Sequence, residues 1–345
     1  MSTPACPDLM RRLTYNVSMT ENAPKIVTRV LPASSVDTAA EILRAGGLTA
    51  FPTETVYGLG ADAANGEAVA RLYAAKGRPR FNPLIAHVPD LAAAEAIGRF
   101  DDRARRLAEA FWPGPLTLVL PIAEDCPVCD LARAGLETVA LRVPAHPVAQ
   151  HLLQVFGGAV VAPSANHSGH VSPTTAGHVV ADLDGRIDLV LDGGSTQVGV
   201  ESTILACLPD AEIRLLRPGG TSREDITRVL GERISSARPS KDPVTAPGMM
   251  ASHYAPHAPV RLDATTVQPG EAVLAFGAAV PGMEQAVARL DLSPTGDLTE
   301  AAANLFAYLR ALDDLEPTGI AVAPIPAEGL GEAINDRLRR AAAPR

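Results

Sequence analysis

The stretch Phe51–Val88, FPTETVYGLGADAANGEAVARLYAAKGRPRFNPLIAHV, decides the fold and carries the first sign of a ligand site. Its first residues belong to an apolar run, Leu48–Pro52, which is typical of a buried strand end. Apolar residues at helical spacing then predict a helix over Gly66–Lys76. A second apolar run, Pro83–Val88, predicts another buried strand. Strand, helix and strand in this order indicate an α/β unit.

Polar side chains gather where the first of these strands ends, directly before two glycines: Thr53, Glu54, Thr55, Tyr57, Gly58 and Gly60. We expect the glycines to take turn conformations and to let the backbone approach a ligand closely. Cations follow at Lys76, Arg78 and Arg80, and the second strand ends near His87. Cations beside a glycine-punctuated loop favour an anion pocket.

The segment Lys76-Gly77-Arg78-Pro79 also has a purely structural interpretation. A cation in the last turn, a glycine at the cap and a proline beyond it form an ordinary helix stop. Taken alone, these four residues favour the helix stop, and only their neighbours favour a pocket.

Composition indicates a globular protein of about two domains. The chain has 345 residues, of which 47% are hydrophobic and 20% charged, and aromatic residues make up only 4%. A length of this order predicts about two domains. The formal net charge of −9 argues against an electrostatic nucleic-acid binder, which needs a basic surface. A local basic pocket remains compatible with this charge.

The ends and the cysteines suggest a cytoplasmic protein. Residues 1–25 are expected to form a mobile tail without an export signal, and both Met1 and Met19 are candidate starts. No window approaches the length of a membrane span. Cys126 and Cys129 form a lone CPVC, which lacks the second pair that a zinc site needs, so loop thiols are expected.

The chain divides by pattern into four parts. Residues 26–234 alternate apolar runs and helical segments, which predicts an α/β domain with a twisted mixed sheet and flanking helices. Residues 235–259 are proline-rich and predict a semi-extended linker. Residues 260–345 predict a smaller, Rossmann-like α/β domain that offers no catalytic constellation of its own.

Three further segments place polar groups at strand ends, in 138–144, 162–174 and 199–219. The first carries Arg142, which alone is better interpreted as a solvated edge charge than as a carboxylate clamp. The second places small hydroxyl residues before a helix start, as in phosphate cradles and in ordinary capped loops. P-loop and dinucleotide-fold glycine patterns do not occur, and a serine-nucleophile elbow does not occur either.

Taken together, ordered motifs resemble the YrdC-like family, and the layout resembles its longer, two-domain threonylcarbamoyl-AMP synthases. The motifs are PTETVYGLG (52–60), KGRPRFNPLIAHV (76–88), FWPGPLTLVL (111–120), LRVPAHP (141–147), APSANHSGHVSPTT (162–175), GVESTILA (199–206) and LRPGG (216–220). The segment PGMMASHYAPHAPV (247–260) matches the linker of the longer members. Six or more motifs in order are a specific signal.

The resemblance implies the synthesis of L-threonylcarbamoyl-AMP from L-threonine, bicarbonate and ATP, with release of pyrophosphate. The product would pass to partner proteins that modify certain tRNAs, without tight binding of nucleic acid by this chain. Mg²⁺ is implied as a cofactor held mainly by the ATP phosphates, so no protein metal ligands are expected.

The resemblance also implies roles for individual residues. Catalytic positioning and electrostatic roles fall on Lys76, Arg78, Ser164 and Asn166. Threonine would contact Thr55, His87, Arg142, Ala162 and Ser202. ATP would contact Arg78, Asn82, Thr138, Ser164, Ser172, Arg217 and Tyr254. Because Tyr254 lies in the linker, the linker is expected to close over the nucleotide as a lid, although a plain tether is equally compatible with its composition.

Two alternatives remain open at this stage. A carbamoyltransferase of the hydrogenase-maturation type contains a similar domain, but it would need an acylphosphatase module and paired zinc-binding cysteines. A double-stranded RNA-binding module is the other alternative, against which the net charge of −9 speaks.

Overall fold

A computed structural model describes residues 26–236 and 253–344 of the chain. Within these ranges the chain forms two sheets with helices packed against them, which confirms the predicted mixed α/β fold. The predicted tail 1–25 and the central part of the predicted linker, 237–252, lie outside the described residues. The predicted domain boundaries at 234 and 259 therefore stay predictions.

The larger sheet has 11 strands within the described residues, in the order β1-β8-β2-β3-β7-β4-β6-β5-β9-β10-β11, with parallel and antiparallel neighbours. Its strands are β1 (Arg29–Pro32), β2 (Thr49–Phe51), β3 (Gly58–Asp62), β4 (Ile85–His87), β5 (Leu116–Pro121), β6 (Thr138–Arg142), β7 (Val160–Val161), β8 (Leu189–Asp192), β9 (Thr203–Ala206), β10 (Arg214–Arg217) and β11 (Ser235–Ser236).

Helices flank this sheet, and the helix predicted over Gly66–Lys76 is among them. They are α1 (Val36–Arg44), α2 (Gly66–Lys76), α3 (Leu91–Glu95), α4 (Asp102–Phe111), α5 (Asp130–Arg133), α6 (Pro147–Phe156), α7 (Ala176–Leu183) and α8 (Arg223–Leu230). In α2, the Asn65 side chain accepts hydrogen bonds from the amides of Glu67 and Ala68, and Gly77 ends the helix at φ 61°. The predicted helix stop is thus present.

The smaller sheet has the order β12-β15-β13-β14, and its strand pairs are all parallel. It is built from β12 (Val260–Arg261), β13 (Glu271–Ala275), β14 (Arg289–Asp291) and β15 (Gly319–Val322), with helices α9 (Leu298–Asp313) and α10 (Leu330–Ala341) and a short 3₁₀ turn at Met283–Gln285. Among the described helices, none combines the length and the apolar character that crossing a bilayer requires.

The expectation that Gly58 and Gly60 form a turn is wrong. Both residues lie in strand β3, which pairs antiparallel with β2. Here glycine is needed for close packing: a Cβ on Gly60 would lie 2.9 Å from the Phe51 ring and 3.0 Å from the carbonyl oxygen of Thr49. Local composition indicated special backbone freedom, but the cause is a tertiary contact that no local pattern shows.

The two sheets are joined by a continuous apolar contact. Val56, Val171 and Val200 belong to one buried cluster with side chains of α9 and α10. At Gly199, whose φ is +75°, a Cβ would lie 2.2 Å from the carbonyl oxygen of Ala302 in α9. Glycine therefore lets α9 pack directly on the loop that precedes β9, next to the polar strand ends described below.

Candidate active site

A small enclosed cavity lies where the polar ends of several strands meet. Strands β4 and β6 run parallel and end at His87 and Arg142, which are register partners. Strand β10 ends at Arg217, beside the start of its antiparallel neighbour β9. The cavity volume is about 40 Å³, and its lining residues are Thr55, Val56, Arg78, Ile85, His87, Arg142, Ala162, Pro163, Ser164, Glu201, Ser202, Arg217, His253 and Tyr254.

Arg142 is buried and paired with a carboxylate of its own chain. Its Nη2 donates to Glu54 Oε1 at 2.7 Å and to Thr55 Oγ1 at 2.9 Å, and its Nε donates to the Gly114 carbonyl at 3.3 Å. The side chain is 5% exposed, so the edge-charge interpretation of Arg142 is wrong. These bonds hold the guanidinium in a fixed orientation at the cavity wall.

His87 contributes a neutral imidazole to the cavity. Its Nδ1 lies 3.2 Å from the Ile85 carbonyl, and the ring also forms a hydrogen bond with the backbone of Val160. Burial and the nearby charge of Arg142 lower the pKa of His87 to about 3. The ring therefore offers polar contacts to a ligand without adding charge at neutral pH.

Arg78 and Arg217 supply two further guanidinium groups. Arg78 follows the helix stop and donates to the carbonyls of Asn82 and Pro83 at 3.3 and 3.0 Å. Arg217 donates from Nε and Nη2 to the Ser202 carbonyl at 3.0 and 2.8 Å, and from Nη2 to Ser202 Oγ at 3.1 Å. Burial lowers the pKa of Arg78 to about 10, which still leaves it charged at neutral pH.

Lys76 does not line the cavity, although it is only two positions from Arg78, which does. Its ammonium group is buried and donates to the carbonyls of Ser164 and Asn166, in the loop after β7. Burial and the charge of Arg78 lower the pKa of Lys76 well below its usual value. The position of the lysine thus fits a role in shaping the loop that carries Ser164 rather than direct contact with a ligand.

Glu201 connects the cavity wall to the C-terminal sheet. One carboxylate oxygen accepts from the Ser172 hydroxyl at 2.5 Å, and the other accepts from Arg337 Nε of helix α10 at 2.7 Å. Burial raises the pKa of Glu201, but Arg337, Arg217 and the Ser172 hydrogen bond outweigh it and lower the pKa to about 2. The carboxylate is therefore ionised and fully committed to protein partners.

Tyr254 closes one side of the cavity and packs on the C-terminal sheet. The ring is 1% exposed and stacks on Phe306 of α9 at 5.6 Å between centroids. The guanidinium carbon of Arg337 lies 5.2 Å from the same ring centroid. The backbone amide of Ala255 donates to the Gly169 carbonyl at 2.9 Å, which ties this segment to the loop after Asn166.

The structure brings together nine of the predicted site residues in the cavity wall and leaves five outside it. The nine are Thr55, Arg78, His87, Arg142, Ala162, Ser164, Ser202, Arg217 and Tyr254. Outside the wall, Lys76, Asn82, Asn166 and Ser172 are buried close behind it. Thr138 pairs with Pro121 at the opposite end of β6 from Arg142, so this cavity gives no support to its predicted ATP contact.

Two carboxylates of the site were not predicted as site residues: Glu201, which lines the cavity, and Glu54, which lies behind Arg142. Both lie inside motifs that carry the family resemblance, PTETVYGLG and GVESTILA. An acidic residue next to hydroxyl residues at the end of an apolar run was the signal that could have identified them. Their partners could not be predicted, because Glu54 meets Arg142 across 88 residues and Glu201 meets Arg337 across 136.

The charge balance of the wall favours an anionic ligand. Glu54 and Glu201 are each bound by an arginine, whereas neither Arg78 nor Arg217 forms a salt bridge within residues 26–236 and 253–344. In the same ranges, no cluster of three or more histidine, cysteine or acidic residues could hold a metal ion. The fold and the cavity therefore define an α/β protein with a buried cationic pocket for small anionic ligands.

Comparisons with known proteins identify the family. The profile of the Sua5, YciO and YrdC family, described as "Telomere recombination", matches residues 41–219, and that of the threonylcarbamoyl-AMP synthase C-terminal domain matches residues 221–343. The chain belongs to the two-domain threonylcarbamoyl-AMP synthase family. Relatives named threonylcarbamoyl-AMP synthase include one from Bacillus subtilis, 41% identical over 88% of this chain and 92% of its own length, and one from Pyrococcus abyssi, 42% identical over the same shares.

A solved structure supports the same conclusion. Pyrococcus abyssi Sua5, whose crystal structure is described as complexed with L-threonine, is 38% identical to this chain. The two structures superpose with a TM-score of 0.83 over 92% of this chain and 97% of the other. The expected fold, including the second α/β unit, is confirmed.

Proposed function

We propose that this chain synthesises L-threonylcarbamoyl-AMP from L-threonine, bicarbonate and ATP, and releases pyrophosphate and water. The relatives of matching length carry the name of this activity, and the related Pyrococcus abyssi structure is described as a complex with L-threonine. The observation that carries the proposal is the meeting of three buried guanidinium groups, a neutral histidine and hydroxyl groups in one cavity. A carboxylate, a polyphosphate and a carbamate are all anionic, so each needs such a wall.

The threonine side of the pocket is formed by Thr55, His87, Arg142, Ala162 and Ser202. Arg142 would take the substrate carboxylate while Glu54 holds the guanidinium in place from behind. The Ser202 hydroxyl is already oriented by Thr117 Oγ1 at 2.8 Å and by Arg217 at 3.1 Å. Fixed hydroxyl groups can recognise the hydroxyl of threonine, because an analogue without it leaves them unpaired.

The ATP side is formed by Arg78, Ser164, Arg217 and Tyr254. Arg78 and Arg217 have no competing carboxylate partner among the described residues, so they are suited to the phosphates. Charge develops on the leaving pyrophosphate when the carbamate oxygen attacks the α-phosphorus. Fixed guanidinium groups in a buried site stabilise that charge without reorganisation. Asn82, Ser172 and Asn166 would support this wall from behind.

Mg²⁺ is proposed to enter with ATP. Glu201, the carboxylate of the wall, is bound by Arg337, and Glu54 behind the wall is bound by Arg142, so the wall offers cations and hydroxyls rather than metal ligands. This arrangement fits a magnesium ion held by phosphate oxygens, where it would neutralise part of their charge.

Substrate entry requires the pocket to open. A volume of about 40 Å³ is far below the several hundred cubic ångströms usual for nucleotide-sized ligands. His253 and Tyr254 fill one side of the cavity, so their displacement would admit ATP and their return would exclude water from the labile adenylate. This arrangement supports the lid hypothesis over a plain tether.

The proposed setting is the cytoplasm, where ATP is supplied, with transfer of the product to tRNA-modifying proteins. Direct tight binding of tRNA is not proposed, because the chain carries a net charge of −9. The hydrogenase-maturation and double-stranded RNA alternatives are not favoured, since the relatives that match over about nine-tenths of their length share one name.

One assay tests the proposal. Purified protein with ATP, Mg²⁺ and bicarbonate should release pyrophosphate when L-threonine is added. L-valine, which matches threonine in shape but lacks the hydroxyl, should support little release. Equal turnover of valine would contradict the threonine assignment, and release that does not depend on bicarbonate would contradict the reaction.

A further inference from the structure

Arg337 of helix α10 lies at the boundary between the C-terminal sheet and the cavity wall. It is fully buried, with 0% exposure, yet it does not line the cavity. Its Nε donates to Glu201 at 2.7 Å, and its Nη1 donates to the Pro218 carbonyl at 2.9 Å and to Asp336 at 2.7 Å. Its guanidinium carbon lies 5.2 Å from the Tyr254 ring centroid.

The groups that Arg337 holds are themselves pocket residues. Glu201 and Tyr254 both line the cavity, and Glu201 also accepts the hydroxyl hydrogen of Ser172. Pro218 follows Arg217 directly, so the hydrogen bond from Arg337 to the Pro218 carbonyl helps to fix the strand end that carries Arg217. One side chain from the C-terminal part thus contacts two residues of the cavity wall, Glu201 and Tyr254, and the carbonyl next to Arg217.

Stability alone is a poor explanation for this arrangement. Removing an arginine and a glutamate from water is costly, and well-packed apolar residues in place of a buried ion pair are often no worse for stability. Helix α10 also has other anchors: Ile334 and Leu338 are buried in the apolar cluster, and Glu332 pairs with Arg223 at 2.6 Å. A buried charge is useful where a fixed geometry is needed.

We propose that Arg337 is a positioning residue that holds Tyr254 and Glu201 in the wall of the ATP side, so that the C-terminal part sets the closed form of the pocket. The inference rests on the proposed function, because it assigns ATP to this side. It gives the C-terminal α/β unit a specific part in the reaction, although that unit contributes no group to the cavity lining except through the segment of Tyr254.

The test uses full-length variants. Arg337→Met keeps an unbranched apolar side chain and removes the charge, and Arg337→Lys keeps the charge but loses the planar fork that serves three acceptors at once. Arg339→Met is the matched control, because Arg339 is on the same helix, loses the same charge and is exposed. Circular dichroism establishes which variants fold.

The first readout is steady-state kinetics. We expect Arg337→Met to lower kcat/KM for ATP about tenfold or more, mainly through KM, with a smaller change for threonine. Arg337→Lys should fall between Arg337→Met and the wild type, and Arg339→Met should match the wild type. Wild-type kinetics in a folded Arg337→Met protein would overturn the inference, as would equal losses in Arg337→Met and Arg339→Met.

The second readout is the pH profile of the same variants. The charged and titratable groups that face Glu201 are Arg337, Arg217, Tyr254 and His253. Without Arg337, burial should raise the pKa of Glu201, so Arg337→Met should lose activity in acid at a higher pH than the wild type. The double variant Arg337→Met, Glu201→Gln should lack that shift. An unshifted acid limb in Arg337→Met would contradict the proposed coupling.

The third readout needs no turnover. Hydrogen–deuterium exchange of the ligand-free protein should be faster over 253–258 in Arg337→Met than in Arg339→Met, because the ring of Tyr254 loses the guanidinium and keeps only Phe306. Should the wild type release no pyrophosphate with threonine, the proposed function is wrong, while the exchange result still decides whether Arg337 holds Tyr254. Unchanged exchange in a folded Arg337→Met protein would overturn the inference.

Discussion

The substitution Arg142→Ala should separate threonine recognition from ATP binding. In the structure Arg142 is held by Glu54, Thr55 and the Gly114 carbonyl, and it is the cation of the wall that lies next to His87. Arg217→Ala is the matched comparison, because it removes the same group from a different strand end. We expect the first variant to weaken mainly threonine and the second to weaken mainly ATP.

The magnitude follows from the contacts. Loss of a buried, charge-assisted pair with the threonine carboxylate should cost on the order of 2–5 kcal/mol, about 30-fold to several thousand-fold in affinity. The same substitution leaves the Glu54 carboxylate buried and unpaired, which should lower the free energy of unfolding by about 3–5 kcal/mol. Binding and stability losses must therefore be separated.

A second variant separates the two effects. Arg142→Ala combined with Glu54→Gln removes the unpaired charge, so the unfolding free energy should recover while the affinity for threonine should not. Calorimetric titration with L-threonine and with a non-hydrolysable ATP analogue gives the two affinities. Urea unfolding gives the stability of each variant.

Two results would refute this reasoning. The first is a uniform loss of both affinities in Arg142→Ala and in Arg217→Ala, which would mean that neither arginine is specific to one substrate. The second is recovery of threonine affinity in the double variant, which would show that Arg142 acts only by neutralising Glu54.

Three further outcomes are expected. Tyr254→Phe should keep most ATP affinity, whereas Tyr254→Ala should weaken ATP binding. Because the ring stacks on Phe306, Tyr254→Ala should also lower the melting temperature. Unchanged ATP affinity in Tyr254→Ala would refute the lid. Lys76→Met should lower kcat about 10- to 100-fold, because two buried carbonyls lose their donor and the loop that carries Ser164 loosens. A wild-type kcat in a folded variant would contradict this prediction. The pKa of Glu201 is about 2 in the fold, which is below its unfolded value. The stability that this carboxylate contributes, on the order of 3 kcal/mol, should therefore be complete above about pH 4.5 and fall as the pH drops toward 2. The same acid dependence in a Glu201→Gln protein would exclude this cause.

Local patterns predicted the elements of the fold well where the cause is local. The helix Gly66–Lys76 has the predicted bounds, because apolar residues at helical spacing and a glycine followed by a proline at its end are local signals. The expected turn at Gly58 and Gly60 was wrong because the Phe51 ring and the Thr49 carbonyl impose the glycine from a neighbouring strand.

The burial of Tyr254 could not be predicted from the sequence. Its proline-rich surroundings are compatible with a lid or with a plain tether and do not indicate that the ring is buried in the ligand-free protein. The ring is instead buried between Phe306 and Arg337, which come from helices about 50 and 80 residues further along the chain. No pattern within the linker could reveal those partners.

The site shows the same division between local signals and distant contacts. Motif positions identified most residues of the wall, and nine of the predicted site residues line one cavity. The sequence did not show that Lys76 bonds to the backbone carbonyls of Ser164 and Asn166, or that Arg142 and Arg337 are each paired with a glutamate. Such contacts depend on which strands and helices the fold brings together.

The central claim is that this pocket joins threonine, bicarbonate and ATP into one adenylate. Mass spectrometry of the product formed from ¹³C-bicarbonate, L-threonine and ATP tests it most directly. We expect threonylcarbamoyl-AMP that carries one ¹³C atom, together with pyrophosphate. An unlabelled adenylate, or a threonyl adenylate without the carbamoyl carbon, would contradict the account.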